Sequence, residues 1–389
     1  MTDKWLFIIV AWLILFGITF SYSLPIYFTK AHGMSPYHFV MIEAFVGFGA
    51  VFIMWSISRL DPAKWLSKIG FLLFLPVMFL MFVMYFLPSD IVPTINGAKR
   101  WILTPFFSIS PVEFFKVGFV FFLSWSLTRK FYLKPEHSTL VNEIKLVAPY
   151  GLIFLVAVAL IAIIQNDFGQ TVVLGATLLL MLLFAGFSLR LFLFLITLAL
   201  VAAVSLILAS SHRIIRIKQW WATTQEYVLS FFPESIANAL RLEDATIDQS
   251  YQVSQALSAI HHGGINGVGI GGGVAKLGFL SDVHTDFVLA GIAEETGLIG
   301  IFLISILMIL MIYRIFKIGN RSENHVYYLF SVGIGIMISL QFLMNAMGII
   351  GLIPLKGIAV PFISYGGSSM IALSVAIGMV LMVSKKAKL

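Results

Sequence analysis

A chain of 389 residues that is 60% hydrophobic and only 11% charged cannot hide its apolar surface in one soluble core, so a soluble globular enzyme is excluded. The formal charge of +7 is spread over the segments between apolar runs, which makes it a topology signal and argues against nucleic acid as a partner. With 0 Cys, disulfides and thiolate metal sites are excluded too, leaving carboxylate, histidine or hydroxyl chemistry.

Apolar runs of about 20 residues, the length that crosses hydrocarbon, fall at 5–28, 38–58, 69–88, 111–128, 146–164, 170–187, 190–210, 285–313, 326–350 and 358–384. The expectation is an all-α polytopic membrane protein, a single integral-membrane domain over 1–389 with about ten transmembrane helices. The first run is too long for a signal-peptide core and lacks a small-residue cleavage site, so it reads as the first span. An even number of spans puts both termini on one side. Basic residues such as Arg59, Lys64, Lys68, Arg129, Arg314, Lys317, Lys385 and Lys386 gather on that side and mark it as cytoplasmic. The split of 170–210 at Gly186–Arg190 is the least regular of the boundaries.

The one long hydrophilic stretch, about 211–282, lies between spans seven and eight and is extracytoplasmic on this topology. It opens with Ile214, Ile215, Ile217, Trp220 and Trp221, a pattern suited to the headgroup plane. It ends in glycine-rich sequence over 263–273, backbone that turns tightly or approaches something closely. The letters GVGIGG mimic a dinucleotide fingerprint, but no strand precedes them and no βαβ unit surrounds them.

The residues able to do chemistry cluster at the outer ends of spans. Between spans three and four, Asn96-Gly97 signals a turn and Lys99-Arg100-Trp101 sets two cations beside an interfacial aromatic, fit for lipid phosphates or for a bound pyrophosphate. Opening span four, Pro111 suits a first helical turn, and Glu113 and Lys116 share a face at i,i+3, either as a plain ion pair or as one bordering a cavity. Gln165-Asn166-Asp167-Phe168-Gly169 is a tight outer connection made of ordinary turn residues. Opening span eight, His284-Thr285-Asp286-Phe287 puts a carboxylate where hydrocarbon ends, a costly place without a partner or a task. His284 is either a second base or a satisfied interfacial histidine. Ser250-Tyr251-Gln252 and the glycine cluster precede this turn. Glu294, about 12 Å deeper at 1.5 Å per residue, would lie on roughly the same side as Asp286 or satisfy buried donors. His261, His262 and His284 lack zinc-ligand spacing. Finally, Pro354, Pro361 and Gly366-Gly367 predict an irregular entry into the last span, tolerated at membrane depth only under protein or beside a water-filled cavity, and read either as a cavity wall or as a kinked helix packed against its neighbours.

The motifs NGAKRW, PVEFFK, QNDFG, the glycine loop before HTDF, the following EETG and PFISYGGSS occur in that order. Together they resemble the SEDS family of bacterial envelope growth, the FtsW, RodA and SpoVE proteins, from about residue 90 to the C-terminus. Within it the chain is more similar to the division branch, partly through IPLKG. Val112, Asn166 and the Ser281-Asp282 pair depart from the common pattern, as does the stretch 222–249.

The resemblance implies an inverting peptidoglycan glycosyltransferase that uses lipid II as donor and acceptor. It implies an FtsI-like class B penicillin-binding protein and other divisome membrane proteins as partners. On this reading Asp286 is the general base. Lys99, Arg100, Glu113, Lys116 and Ser368 serve substrate or pyrophosphate binding, with or without a divalent cation (Mg or Mn). Asp167, Gln252, His284, Glu294 and Tyr365 line the cavity. A lipid II flippase, an elongation polymerase of the RodA type and a pure scaffold are the rival readings.

Overall fold

The computed structural model describes residues 2–95, 98–104, 108–131, 139–208, 211–241, 251–280, 282–354 and 357–387. Expectations resting on Asn96, Gly97, Ser250, Ser281 and Lys356 lie outside the described residues. The chain is helical almost throughout, in the order α1 (Lys4–Ser23), α2 (Ile26–Ala31), α3 (His38–Arg59), α4 (Pro62–Val83), α5 (Pro111–Phe131), α6 (Leu140–Val158), α7 (Phe168–Phe184), α8 (Leu189–Leu208), α9 (Ser211–Leu229), α10 (Glu234–Leu240), α11 (Tyr251–Gly263), α12 (Val288–Asn320), α13 (His325–Ile349) and α14 (Gly367–Ser384). Among the described residues, 8 helices are long and apolar enough to cross a membrane, and α7 and most of α8 are shorter apolar helices, which accounts for all ten expected spans. A two-residue hairpin, β1 (Ile102–Leu103) against β2 (Ser108–Ile109), precedes α5. The hydrophilic stretch before span eight is not open loop, since α9, α10 and α11 lie within it.

The core follows from where small residues let backbones meet. Helices α5, α13 and α14 are the most buried spans, with α14 packed on α3 and α5, and α13 on α5, α7 and α12. On α5, Gly118 brings the helix so close to α4 that a Cβ would run into the backbone of Leu73 and Phe74. Large apolar side chains on the outside of α3, Phe45, Phe48 and Phe52 among them, are exposed, as a lipid-facing surface requires.

The two ends of the bundle differ in chemistry. At one end the Asp3 side chain caps α1 at the Leu6 N–H, the Asp3 N–H donates to Ser384 Oγ at 3.1 Å, and Arg314 pairs with the Asp3 carboxylate at 2.6 Å. Lys385 donates to Leu60 O nearby. The N-terminus and the end of α14 therefore meet at the same end. The opposite end carries the start of α5, the 165–167 turn, the turn before α12 and the start of α14.

Helix α12 departs from the straight span expected over 285–313. It breaks at Gly297, which sits at φ 67° and ψ −167°, and runs on to Asn320. The backbone groups freed by the break are taken up by the glycine-rich loop: Val268 and Gly269 N–H donate to Glu294 O and Glu295 O at 3.0 and 2.9 Å, and Leu298 N–H donates to Gly264 O at 3.0 Å. Broken backbone at this depth is viable because protein satisfies it. Beneath the loop, Lys276 pairs with Glu295 at 2.5 Å, and Ser23 Oγ donates to the same carboxylate, tying loop and half-helix to α1. The last span also starts later than the expected 358, because residues 357–366 run as the irregular segment that Pro361 and Gly366 foreshadow and α14 begins only at Gly367.

Candidate active site

Asp286 lies in the turn just before α12, half-buried. Its position is set by main chain rather than by its own side chain. Three consecutive carbonyls of this turn each accept one hydrogen bond from elsewhere: His284 O from Tyr365 N–H at 2.9 Å, Thr285 O from Ser364 Oγ at 2.7 Å, and Asp286 O from Asn345 Nδ2 at 2.7 Å. Ser364 Oγ in turn accepts from Val360 N–H at 2.8 Å, so the irregular segment folds back on itself as it clamps the turn. Phe362, between these contacts, holds a positive φ of 64°, strain that marks a constrained site. The turn closes locally as well, with Phe287 N–H donating to Asp282 O at 3.1 Å.

The carboxylate of Asp286 accepts from the Gly357 N–H. Burial, the neighbouring Asp282 and the Asp167 carboxylate push its pKa up to about 6, against the opposing pull of Arg100 and that N–H. Asp282 is exposed and accepts from Gln252 Nε2 at 3.3 Å, which anchors the turn to α11. Gln252 thus reaches Asp286 through Asp282. A small cavity of about 10 Å³ is shared by Asp286, Asn345 and Gly357 and is otherwise walled mainly by apolar side chains.

Beside the turn stands a charged cluster built by α5, α7 and the NGAKRW segment. Arg100 donates to Gln165 O at 2.9 Å and Asn166 O at 2.6 Å, and lies 3.9 Å from the Asp167 carboxylate. It holds the turn in which Asn166 adopts a φ of 51° and which a π-helical stretch over Ala159–Ile164 leads into. Asp167 caps α7 by accepting from Gln170 N–H, and burial raises its carboxyl while Arg100 opposes the shift. Glu113 and Lys116 pair at 2.9 Å as their i,i+3 spacing predicts, and Gln170 bridges them, accepting from Lys116 at 2.7 Å and donating to Glu113 at 3.0 Å. Lys116 is buried, with 1% of its side chain exposed, whereas Arg100 keeps 30%. Of these two cations Arg100 is the more exposed, although it already holds the 165–167 turn, while the Glu113–Lys116 pair is closed off by Gln170.

Several other expected residues are spent on structure. Lys99 donates to Tyr85 O and Leu87 O at 3.2 and 2.9 Å, satisfying carbonyls just past α4. Ser368 is buried and takes both sides of one contact, donating to Ser108 O and accepting from Ser110 N–H, which fixes the start of α14 against the start of α5. Helical register does not relate Glu294 to Asp286, because α12 begins at Val288, after Asp286. Glu294 instead accepts from Val274 and Ala275 N–H and meets His262 Nδ1 at 3.0 Å, holding the glycine loop. His284 packs among Phe28, Phe39 and Tyr365 at ring separations of 5.8, 5.3 and 5.9 Å. It is not a satisfied histidine, because its buried Nδ1 has no hydrogen-bond partner among the described residues, and burial lowers its pKa. Tyr365 packs on Phe39 at 5.0 Å and belongs to this aromatic wall. The residues that sequence reasoning passes over are Asn345 and Ser364. For Asn345 a signal exists, since it and Gln341 are polar at i,i+4 inside an apolar run.

The chain is similar to proteins of bacterial wall synthesis along its whole length. Probable peptidoglycan glycosyltransferase FtsW of Helicobacter pylori is 44% identical over 389 residues, covering 100% of this chain and 99% of that protein. The protein of the same name from Hydrogenovibrio crunogenus is 32% identical, covering 98% and 91%. Among solved structures, Thermus thermophilus rod shape determining protein RodA aligns with a TM-score of 0.65 at 20% identity, covering 100% of this chain and 98% of that one. A chain of a peptidoglycan synthase complex that coordinates polymerization and crosslinking aligns with a TM-score of 0.70 at 20% identity, covering 99% and 98%. The family model for cell cycle proteins of the FtsW, RodA and SpoVE type matches residues 3–389, and the chain belongs to that family.

Proposed function

We propose that this chain is a peptidoglycan glycosyltransferase that polymerises lipid II into glycan strands on the outer face of the cytoplasmic membrane, in septal synthesis during cell division. The observation that carries the reading is Asp286, a half-buried carboxylate with a pKa near 6, clamped by its main chain at the end of the bundle that also holds Arg100. The names of the relatives support the reaction class, and those names favour the division branch over elongation. The polytopic helical bundle supports a multi-pass membrane location, with both termini on the cytoplasmic side.

In the reaction, Asp286 takes the proton of the acceptor's 4-hydroxyl as that oxygen forms its bond to the anomeric carbon of the donor. The bond from that carbon to the pyrophosphate breaks on the opposite face, the electron pair leaves with undecaprenyl pyrophosphate, and α becomes β. A positioned base of this kind contributes about 10²–10⁴-fold. Arg100 is the cation placed to meet the developing charge on the leaving group. Among the described residues no three His, Asp or Glu side chains converge as a metal cage, so the donor set does not fit a divalent cation held by protein alone. An FtsI-like class B penicillin-binding protein is the proposed partner, together with other divisome membrane proteins; the structural likeness to a chain of a peptidoglycan synthase complex supports it.

The test is purified protein with its partner and labelled lipid II, comparing wild type with Asp286→Ala. Polymer should vanish while the variant stays folded and partner-bound. Polymer at wild-type rate from Asp286→Ala, or translocation of lipid II without polymer from the wild type, refutes the reading.

A further inference from the structure

Asn345 on α13 is buried, with 6% of its surface exposed, and it makes two hydrogen bonds of one kind. Its Nδ2 donates to Asp286 O at 2.7 Å and to Ile358 O at 2.6 Å. Both partners are main-chain carbonyls, which can only accept, so the orientation of the amide is fixed: the nitrogen faces them and the oxygen faces away. An amide nitrogen has two hydrogens, and both are used. Oδ1 has two lone pairs, and among the described residues it has no partner although it is buried.

A buried acceptor left unpaired forfeits free energy comparable to a lost hydrogen bond. If Asn345 served only to clamp the turn, that cost would go unrecovered. Asn345 also lines the small cavity with Asp286, whose volume of about 10 Å³ is close to that of a single water-sized group. A hydroxyl is such a group. A cavity lined by both Asp286 and Asn345 offers a carboxylate and a carboxamide as acceptors, which suits a ligand that presents two neighbouring donors, and a pyranose ring does so wherever adjacent carbons carry hydroxyls.

Resting on the glycosyltransferase reading above, we propose that Asn345 recognises the acceptor sugar: its Oδ1 accepts a hydrogen bond from a hydroxyl neighbouring the one that Asp286 deprotonates. The same side chain thereby places the base and reads the substrate, through opposite ends of one amide. No bond is made or broken at Asn345, so it binds the acceptor and positions the base, and it makes no contact with the donor.

The experiment uses the full chain with its partner penicillin-binding protein and two lipid-linked disaccharides. The donor lacks its own 4-hydroxyl, so it cannot act as acceptor. The acceptor is supplied intact, as the 3-deoxy form or as the 6-deoxy form. In wild type, one of the two deoxy acceptors should lose about tenfold or more in kcat/KM, the worth of roughly one unmade hydrogen bond, with the loss mainly in acceptor KM. In Asn345→Leu the intact acceptor should fall to that level or below it, since the clamp on the Asp286 turn is lost as well, and removing that hydroxyl should cost nothing further. Where Asn345→Leu does not fold, the wild-type series decides alone: equal kcat/KM for the three acceptors overturns the proposal. So does a folded Asn345→Leu that still discriminates against the deoxy acceptor as wild type does. Failure of wild type to join donor to intact acceptor at all sinks the glycosyltransferase reading, and this proposal with it.

Discussion

Replacing Lys116 by methionine separates a strut from a ligand site, because the two roles predict different things of the same pair. The ammonium lies 2.9 Å from Glu113 and donates to Gln170, with 1% of the lysine side chain and 10% of the glutamate side chain exposed. Lys116→Met keeps the length of the side chain but strands the Glu113 carboxylate in a helix core, and breaking a buried pair from one side costs about 3–5 kcal/mol. Glu113→Gln with Lys116→Met removes both charges and keeps both shapes, and such neutral replacements of buried pairs are often near neutral. The double variant should therefore recover most of what the single loses, a coupling of about 2–4 kcal/mol between adjacent sites. Reversible unfolding of the purified protein in mixed micelles reads the stability, and lipid II polymerisation reads the function. A strut predicts that the double variant regains both. If Lys116→Met is as stable as wild type, or the double variant is no better than the single, the description of the pair as buried and mutually dependent is wrong.

Two further outcomes follow from the same geometry. Asp286 works as a base only when ionised, so with a pKa near 6 the polymerisation rate should rise as pH goes from about 5 to 7, and Asp282→Asn, which removes a repelling charge, should move the midpoint to lower pH; a flat profile or a shift upward refutes the electrostatics. Gly297→Ala forces a side chain into a φ of 67° where a Cβ would strike Ile265 O and Gly267 N, so it should destabilise by more than about 1 kcal/mol and speed hydrogen exchange over 264–269, with unchanged exchange as the contrary result.

The bundle was legible because hydrophobic length is a strong signal in a bilayer, where backbone must bond within its own segment. The Glu113–Lys116 pair was legible for a similar reason, since i,i+3 spacing on one helix is local information. The break in α12 was not. A glycine inside an apolar run is ordinary in membrane helices, and only the approach of residues 264–269, about thirty positions earlier, shows what Gly297 permits. The contacts of Lys99 and Ser368 escaped for the opposite reason, whereas for Glu294 the sequence already offered buried donors as one of two readings. Each is a polar residue at the right end of the molecule, and composition cannot say whether a polar side chain faces a ligand or a stray backbone group. Asn345 escaped because it stands 59 residues from the Asp286 carbonyl it holds, though its polarity within α13 was visible.

The distribution of the family motifs along the chain has a physical reason in the turn around Asp286. A carboxylate at headgroup depth must be held in place without neutralising it, and a cation or a strong donor on its own oxygens would lower its basicity. The structure spends its firm contacts on the carbonyls instead: Tyr365 N–H, Ser364 Oγ and Asn345 Nδ2 each take one, and among the described residues the carboxylate itself receives only the Gly357 N–H. Carbonyls come with any amino acid, so the positioning information lies in the donors, which belong to α13 and to the irregular segment before α14. That segment can exist at this depth because the turn supplies the acceptors that its bent backbone and Ser364 need, as the turn can exist because the segment supplies donors. Each is the other's substitute for water. The proposed base is thus assembled only when α12, α13 and the approach to α14 are packed together, and its basicity is a property of that packing as much as of Asp286.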